Sequence, residues 1–380
     1  MKRLLFVMPS LGIGGTTVST LNLISLLDKG KYEVTVMPLL NRGVLKEQYA
    51  SVPQLKPSLI FESLSVPSWR LMQGGYQRLF AMTIRFVAQK SSKIKEMLLH
   101  TGWKYSLGAN CFDTIIACQE GRATTAVAAA PVADKVAWVR CDYSRIADRW
   151  PHDRDFYGRF RSIVCVSEGT FSNFVKIFPE YAHKTFCIQN PQNTDLIKKQ
   201  GETLEDDPHF LTDCTTLVSV GRLSPVKRFN HIALIASQLK ERRLKFRWYI
   251  IGDGTERGAI QESIKAQHAE DVVIMLGAKT NPHYYIKHAD LYVCLSESEA
   301  CPRVVNEAKI LGTPTVSTDF PTIYEFIEDG QTGLISPLSG IPDAITRLFT
   351  DNELRERIIT NISQFKFDNT KWMELIQKIL

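Results

Sequence analysis

The chain has 380 residues, 44% of them hydrophobic and 23% charged, with a formal net charge of +6. That length exceeds one ordinary core and fits two domains, and the composition suits a soluble α/β protein. No apolar run reaches the roughly eighteen residues of a membrane-spanning helix. None of the eight cysteines forms a close Cys-x-x-Cys pair, so neither a zinc site nor a redox motif is suggested. Most cysteines, Cys165 and Cys294 among them, lie in apolar strand-like runs and read as buried reduced thiols of a cytoplasmic protein, with Cys301 as the exposed exception.

The N-terminal Met1-Lys2-Arg3 followed by apolar residues begins like a signal peptide, but the run is short and enters a glycine loop rather than a cleavage site. Leu4 to Met8 therefore reads as a buried strand, with a loop to Gly15, a periodic helix over Val18 to Leu27 and a returning strand over Tyr32 to Pro38. Thr114 to Ala117, Lys135 to Val139, Ile163 to Val166 and Lys184 to Ile188 supply further strands. Asn190-Pro191-Gln192-Asn193 and the polar run after it suggest an interdomain connection over 191–213. A second series follows, with strands at Thr216 to Val220, Phe246 to Ile251, Val272 to Leu276, Leu291 to Leu295 and Pro314 to Ser317, and helices at Phe229 to Lys240 and near Arg257 to Gln267.

This order predicts two Rossmann-like, doubly wound α/β domains, over 1–190 and 214–365, with a C-terminal helix over 366–380 packing back on the first. Parallel strands joined by right-handed crossovers place ligands at the carboxyl edge of each sheet, and two such edges facing each other would make a cleft.

The segment Ser296-Glu297-Ser298-Glu299-Ala300-Cys301-Pro302-Arg303-Val304-Val305-Asn306-Glu307 crosses a strand-to-helix junction. It places Glu299 on the loop and Glu307 about one turn into the helix. Such a junction offers free N–H groups and a positive dipole end to a phosphate, while carboxylates accept from hydroxyls. A sugar nucleotide carries both kinds of group. Taken alone, two acids eight apart are better read as solvated surface carboxylates, and it is the accompanying motifs that change this.

Upstream stand Val220-Gly221-Arg222-Leu223-Ser224-Pro225-Val226-Lys227-Arg228 and Ile250-Ile251-Gly252-Asp253-Gly254-Thr255-Glu256-Arg257. With these three motifs in order, the chain from Thr215 to Pro337 resembles the retaining glycosyltransferases of family four, which have the GT-B fold and a Glu-x7-Glu signature. The N-terminal half resembles the family's capsular and cell-envelope polysaccharide members more loosely, through the loop near Gly14, Phe112 to Gly121, Ala137 to Asp142 and Ile163 to Glu168.

The resemblance implies that the N-terminal domain binds acceptor and the C-terminal domain binds a nucleotide-diphosphate sugar. Arg222 and Lys227 would neutralise the departing diphosphate, Glu307 would accept ribose hydroxyls, and Glu299 would hold a donor-sugar hydroxyl near the reacting carbon. Backbone N–H groups around Ala300, Arg303 and Val304 would serve phosphate or sugar oxygens, and Gly14 and Gly15 would let backbone approach the diphosphate. The family usually has a glycine and an aromatic where this chain has Ala300 and Cys301, and commonly a His at Arg140; Asp142 remains a candidate for orienting acceptor, or a helix cap. Asp253 belongs to no Asp-x-Asp metal motif, and the Gly252 turn reads as structural. No metal and no cofactor is expected, because the basic pair can take a cation's electrostatic role.

The stretch 66–105 carries Arg70, Arg78, Arg85, Lys90, Lys93, Lys95 and Lys104 against Glu96, so its net charge equals that of the whole chain. Trp69, Phe80, Phe86 and Trp103 are interleaved. It fits an amphipathic surface for anionic membrane, with Trp69 or Trp103 inserting, or two ordinary helices with a solvated basic face. No recognition motif accompanies the charge, so nucleic acid is not expected.

The reading is a cytoplasmic, metal-independent retaining glycosyltransferase, peripheral on the inner face of the membrane if 66–105 docks there. It would move a hexose or N-acetylhexosamine, from UDP by preference, to a cell-envelope glycan or lipid-linked acceptor. Alternatives are a GT-B-like sugar-nucleotide epimerase or a non-catalytic nucleotide-binding scaffold. A dinucleotide oxidoreductase is disfavoured by the lack of a full Gly-x-Gly-x-x-Gly.

Overall fold

The computed structural model describes residues 1–12, 14–40, 43–65, 76–146, 153–205, 207–210 and 214–380. Two compact units emerge: Met1–Pro191 with Asn369–Leu380, and Gln192–Asp368.

Unit 1 is built on a parallel sheet of β1 (Lys2–Ser10), β2 (Tyr32–Leu40), β3 (Thr114–Ala117), β4 (Lys135–Val139), β5 (Ser162–Cys165) and β6 (Thr185–Cys187), in the order β2-β1-β3-β4-β5-β6. The central strands read as unbroken apolar runs because both faces are covered, and Leu4 to Met8 are buried throughout. The helix Gly15–Leu26 joins β1 to β2. Helices Leu59–Ser65, Tyr76–Lys90 and Ser92–Leu107 fill the crossover from β2 to β3.

Trp103 anchors that crossover. It is fully buried, its Nε1–H donates to Ala126 O at 2.7 Å, and its ring meets Phe61 edge-on at 5.1 Å. Such an indole, with its polar tip satisfied, is core. Trp103 is therefore not available for insertion into lipid, which corrects the expectation for this residue; Trp69 and Arg70 lie outside the described residues. Among the described side chains of Tyr76–Lys90, Leu79, Phe80, Met82 and Phe86 are large apolar residues exposed at the surface.

Unit 2 repeats the plan with β7 (Thr215–Val220), β8 (Phe246–Ile251), β9 (Val273–Gly277), β10 (Leu291–Cys294), β11 (Thr315–Thr318) and β12 (Leu334–Ser336), in the order β12-β11-β10-β7-β8-β9, all parallel. A buried polar chain crosses its centre: Trp248 Nε1–H on β8 donates to Ser219 Oγ on β7 at 3.0 Å, and that hydroxyl donates to Val293 O on β10 at 2.7 Å. Losing the Ser219 hydroxyl would leave the indole N–H unmatched, at a cost of about 1–3 kcal/mol.

The stretch 191–213 is not a free connection. From Gln192 onward it belongs to unit 2, and it carries the helix Thr194–Glu202. Ile197 and Phe210 are buried among Tyr249, Tyr285 and Ile286. Its polar composition concealed this, because its acids are paired: the nearly covered Asp207 with Lys279 and the exposed Glu202 with Lys287, each at 2.7 Å.

Candidate active site

In the order β12-β11-β10-β7-β8-β9 the chain runs outward from β7 to β9 and then returns to lay β10 on the other side of β7. The loops leaving β7 and β10 therefore diverge from neighbouring strands, which is where an open α/β sheet forms a crevice. The Gly221 and Glu299 motifs are these two loops.

The first loop is fixed by backbone pressed against backbone. Gly221 N–H donates to Ile251 O and Leu223 N–H to Asp253 O, both at 3.0 Å. A Cβ on Gly252, whose φ is +146°, would fall 1.8 Å from Gly221 O, and one on Gly254 would fall 2.2 Å from Leu223 O. The Gly252-Asp253-Gly254 turn thus serves as a spacer under the loop. A 3-10 turn over Pro225–Lys227 then closes on Arg228, a non-glycine residue at φ 52°.

The second loop is tied to the first and to the strands around it. Glu297 N–H donates to Val226 O at 2.8 Å, Thr318 Oγ1 to Ser296 O at 2.6 Å and Thr322 Oγ1 to Glu299 O at 2.5 Å. The result is a direct ion pair between the two motifs: Lys227 Nζ lies 2.7 Å from Glu299 Oε1, which also accepts from Ser296 Oγ at 2.6 Å. Both charged side chains are four-fifths or more covered, 20% and 16% exposed, yet still open to a ligand. Arg222 is exposed on the same loop.

Glu307 lies deeper. It belongs to the helix Arg303–Leu311 and is 1% exposed; Arg303 Nη1 contacts its Oε1, and His283 Nε2 stands 3.5 Å from Oε2. His283 Nδ1 is in turn paired with Gln200 Oε1 at 2.8 Å. Burial opposes ionisation of Glu307, but the Arg303 charge, followed by His283, outweighs it and holds the carboxyl below its usual range. The Arg303 N–H donates to Cys301 O at 2.8 Å, so this amide is engaged within the turn. Ala300 is buried, Val304 half-buried, and Cys301 is half-buried rather than exposed; Cys111 is the exposed thiol.

In unit 1 the corresponding divergence lies between β1 and β3. Gly14 caps the helix Gly15–Leu26 there, and a Cβ on Gly15 would meet nothing within 4 Å. Arg140 spans the sheet edge: its Nε donates to Cys118 O at 2.8 Å, its Nη1 to Ser19 Oγ at 2.5 Å and to Asn190 Oδ1, while its backbone N–H donates to Glu120 Oε2 at 2.9 Å. Asp142 is a cap, accepting at Oδ1 from Ser144 N–H at 3.1 Å, Ser144 Oγ at 2.7 Å and Asn173 Nδ2 at 3.0 Å. Sequence reasoning missed Ser296, His283, Gln200 and the bracing role of Arg140. His283 and Gln200 fall on no motif, Ser296 and Arg140 stand within motifs without showing these contacts, and only spatial neighbours reveal them. Among the described residues no group of three or more His, Cys, Asp or Glu side chains could hold a metal ion.

Residues 201–365, which span both loops and the Glu307 helix, match the family described as "Glycosyl transferases group 1". These residues are a glycosyl transferases group 1 domain. The α-D-kanosaminyltransferase of Streptomyces kanamyceticus is 31% identical over 187 residues, 48% of each chain. The chain spans about half or less of the length of the curated relatives it matches first. Anabaena Alr3699/HepE, solved in complex with UDP and glucose, superposes with a TM-score of 0.75 at 17% identity, covering 100% of this chain and 99% of that one. A mutant of S. aureus TarM, in complex with fondaparinux, alpha-GlcNAc-glycerol and UDP, gives 0.75 at 14% identity with the same coverage. The group 1 domain thus sits in a chain with the GT-B fold.

Proposed function

We propose that the chain is a retaining, metal-independent glycosyltransferase moving a hexose or N-acetylhexosamine from a nucleotide-diphosphate sugar, UDP favoured, to a cell-envelope glycan or lipid-linked acceptor. The observation that carries this reading is the Lys227–Glu299 pair at the β7/β10 divergence. The leaving diphosphate carries about two negative charges, and a preorganised ammonium with the Arg222 guanidinium neutralises charge as it builds on the departing oxygen. Glu299, oriented by Lys227 and Ser296, has an acceptor left for a sugar hydroxyl beside the reacting carbon. A carboxylate so closely paired is a poor nucleophile, which favours same-face attack over a covalent intermediate. The basic pair takes the electrostatic role that a metal would otherwise fill.

Glu307 is assigned the ribose hydroxyls, and the amides around Ala300 and Val304 the phosphate or sugar oxygens. Gly14 and Gly15 contribute small backbone at the diphosphate, and Asp142 has a structural use that an acceptor would have to share. UDP in the solved HepE and TarM complexes supports the choice of base.

No helix among the described residues is long and apolar enough to cross a membrane. The exposed row Leu79, Met82 and Phe86, with Lys90 and Lys93 beside it, suits peripheral contact with an anionic inner leaflet. The deciding experiment incubates the protein with UDP-, GDP- and TDP-sugars, with and without lipid-linked acceptors, and follows nucleotide release. Acceptor-dependent release supports the reading. Conversion of the sugar nucleotide without release would identify an epimerase instead, and no turnover with any donor would overturn transfer.

A further inference from the structure

The ribose role of Glu307 meets an obstacle in the structure, because both of its oxygens are closed off. Oε1 is held by Arg303 Nη1, while Oε2 is buried facing His283 Nε2 at 3.5 Å, too far for a hydrogen bond, and has no hydrogen-bond partner. Something must move before a hydroxyl can reach the carboxylate. His283 is pinned through Nδ1 by Gln200 and is 9% exposed, whereas Arg303 is a long side chain, 16% exposed, at the first residue of its helix. Arg303 is the group free to leave.

Its present position is also electrostatically second best. A cation on the first turn sits at the positive end of the helix dipole, and an Arg placed four residues before its Glu is the weaker order for such a pair. No acidic residue occupies that first turn, and Arg303 Nε is buried without a partner. An anion at the helix start would reverse the unfavourable placement and supply the missing acceptor. Glu307, 99% covered with an unmatched oxygen, marks where the second half of the ligand belongs.

We propose that Arg303 is a diphosphate-released latch on Glu307: in the empty site the guanidinium holds the carboxylate, and a donor diphosphate draws it away so that ribose hydroxyls take its place. This rests on the donor reading above and adds a selection rule. Nucleosides lacking phosphates meet a closed site, whereas diphosphates open it. Because coupling between the two contacts is reciprocal, each half of the ligand strengthens the other.

The test is calorimetric titration of the unmodified protein with UDP, GDP and TDP, then with the nucleoside of whichever base binds, alone and with inorganic pyrophosphate. The same series is run on Arg303→Leu and, to guard against misfolding, on Arg303→Lys. The latch predicts that pyrophosphate improves nucleoside binding to the unmodified protein by roughly five- to tenfold. In Arg303→Leu the nucleoside binds more tightly, the diphosphate more weakly, and the pyrophosphate effect disappears; Arg303→Lys falls between. Parallel losses for nucleoside and diphosphate would make Arg303 a structural brace, and an unchanged nucleoside affinity would make it a plain phosphate contact. Either result overturns the latch and leaves the donor reading standing. Failure of the unmodified protein to bind any of the three diphosphates overturns both.

Discussion

Gly252→Ala tests whether the Arg222–Lys227 loop is held in place by backbone contact. The new methyl would lie 1.8 Å from Gly221 O, at a φ of +146° that only glycine adopts readily. Relief requires the Gly221 carbonyl to retreat by more than about 1 Å to ordinary contact distance. That carbonyl cannot retreat alone, since the Gly221 N–H is bonded to Ile251 O and Gly252 N–H to Gly277 O. Backbone strain and overpacking together cost about 2–6 kcal/mol, which lowers the unfolding midpoint of a unit this size by roughly 5–20 °C. A shift of that length at Arg222 and Lys227 costs about a hundredfold in turnover. Gly258→Ala is the control. It lies in the helix Arg257–Ala266 with nothing within 4 Å of its Cβ position, so it should stabilise by about 0.5–1 kcal/mol and spare turnover. Differential scanning calorimetry and a nucleotide-release assay on both variants measure this. If Gly252→Ala melts and turns over like the unmodified protein, or Gly258→Ala is equally damaged, the close approach does not position the loop.

Arg222→Ala and Lys227→Ala should each lose about a hundredfold in turnover, roughly 3 kcal/mol of leaving-group stabilisation. Lys227→Ala should suffer more, because it also strips Glu299 of its partner; initial rates on folded variants check this, and near-normal rates in both would remove the diphosphate assignment. Glu307→Gln should weaken binding of the nucleoside diphosphate, while Glu299→Gln should lower turnover with little effect on that binding. Titration and kinetics on the pair separate ribose contact from sugar contact, and equal losses would merge the two roles. Lys90→Glu with Lys93→Glu should abolish sedimentation with anionic vesicles at low salt, each lysine contributing about 1 kcal/mol, and leave donor binding intact. High salt should weaken binding of the unmodified protein; if it ignores anionic vesicles even in low salt, the helix face is only solvated and a soluble acceptor is the better hypothesis.

The sheets were legible because parallel strands covered on both faces are apolar throughout: Thr114–Ala117, Lys135–Val139 and Phe246–Ile251 stand where periodicity placed them. Short polar-rich helices escaped, as did β12, whose three residues are too few to show a pattern. The helix Thr194–Glu202 looked like a linker because its buried side chains are few and its exposed face is charged. At the site, motif order named Arg222, Lys227, Glu299 and Glu307, but not which charge meets which. The Lys227–Glu299 pair joins loops 72 positions apart, and the His283–Gln200 brace lies 83 positions apart, distances over which no local pattern carries information. Trp103 illustrates the opposite failure: a tryptophan among basic residues looked amphipathic, yet the Ala126 carbonyl satisfies its indole inside the core.

The helix Thr370–Ile379 belongs to unit 1, so all of unit 2 is inserted between two pieces of one domain. Ile376, Ile379 and Leu380 are buried, and Arg161 Nη2 donates to Ile379 O. During synthesis the six strands of the first sheet have emerged by Cys187, but their closing helix follows only after unit 2 has been made. At roughly 5–20 residues per second that is a delay of about ten to forty seconds. Through that interval the nascent first domain must display the apolar seat of the missing helix, while unit 2, continuous in sequence, can fold as soon as it clears the ribosome. The later-made half of this protein is therefore the first that can be finished, and the earlier half is the natural client for a chaperone.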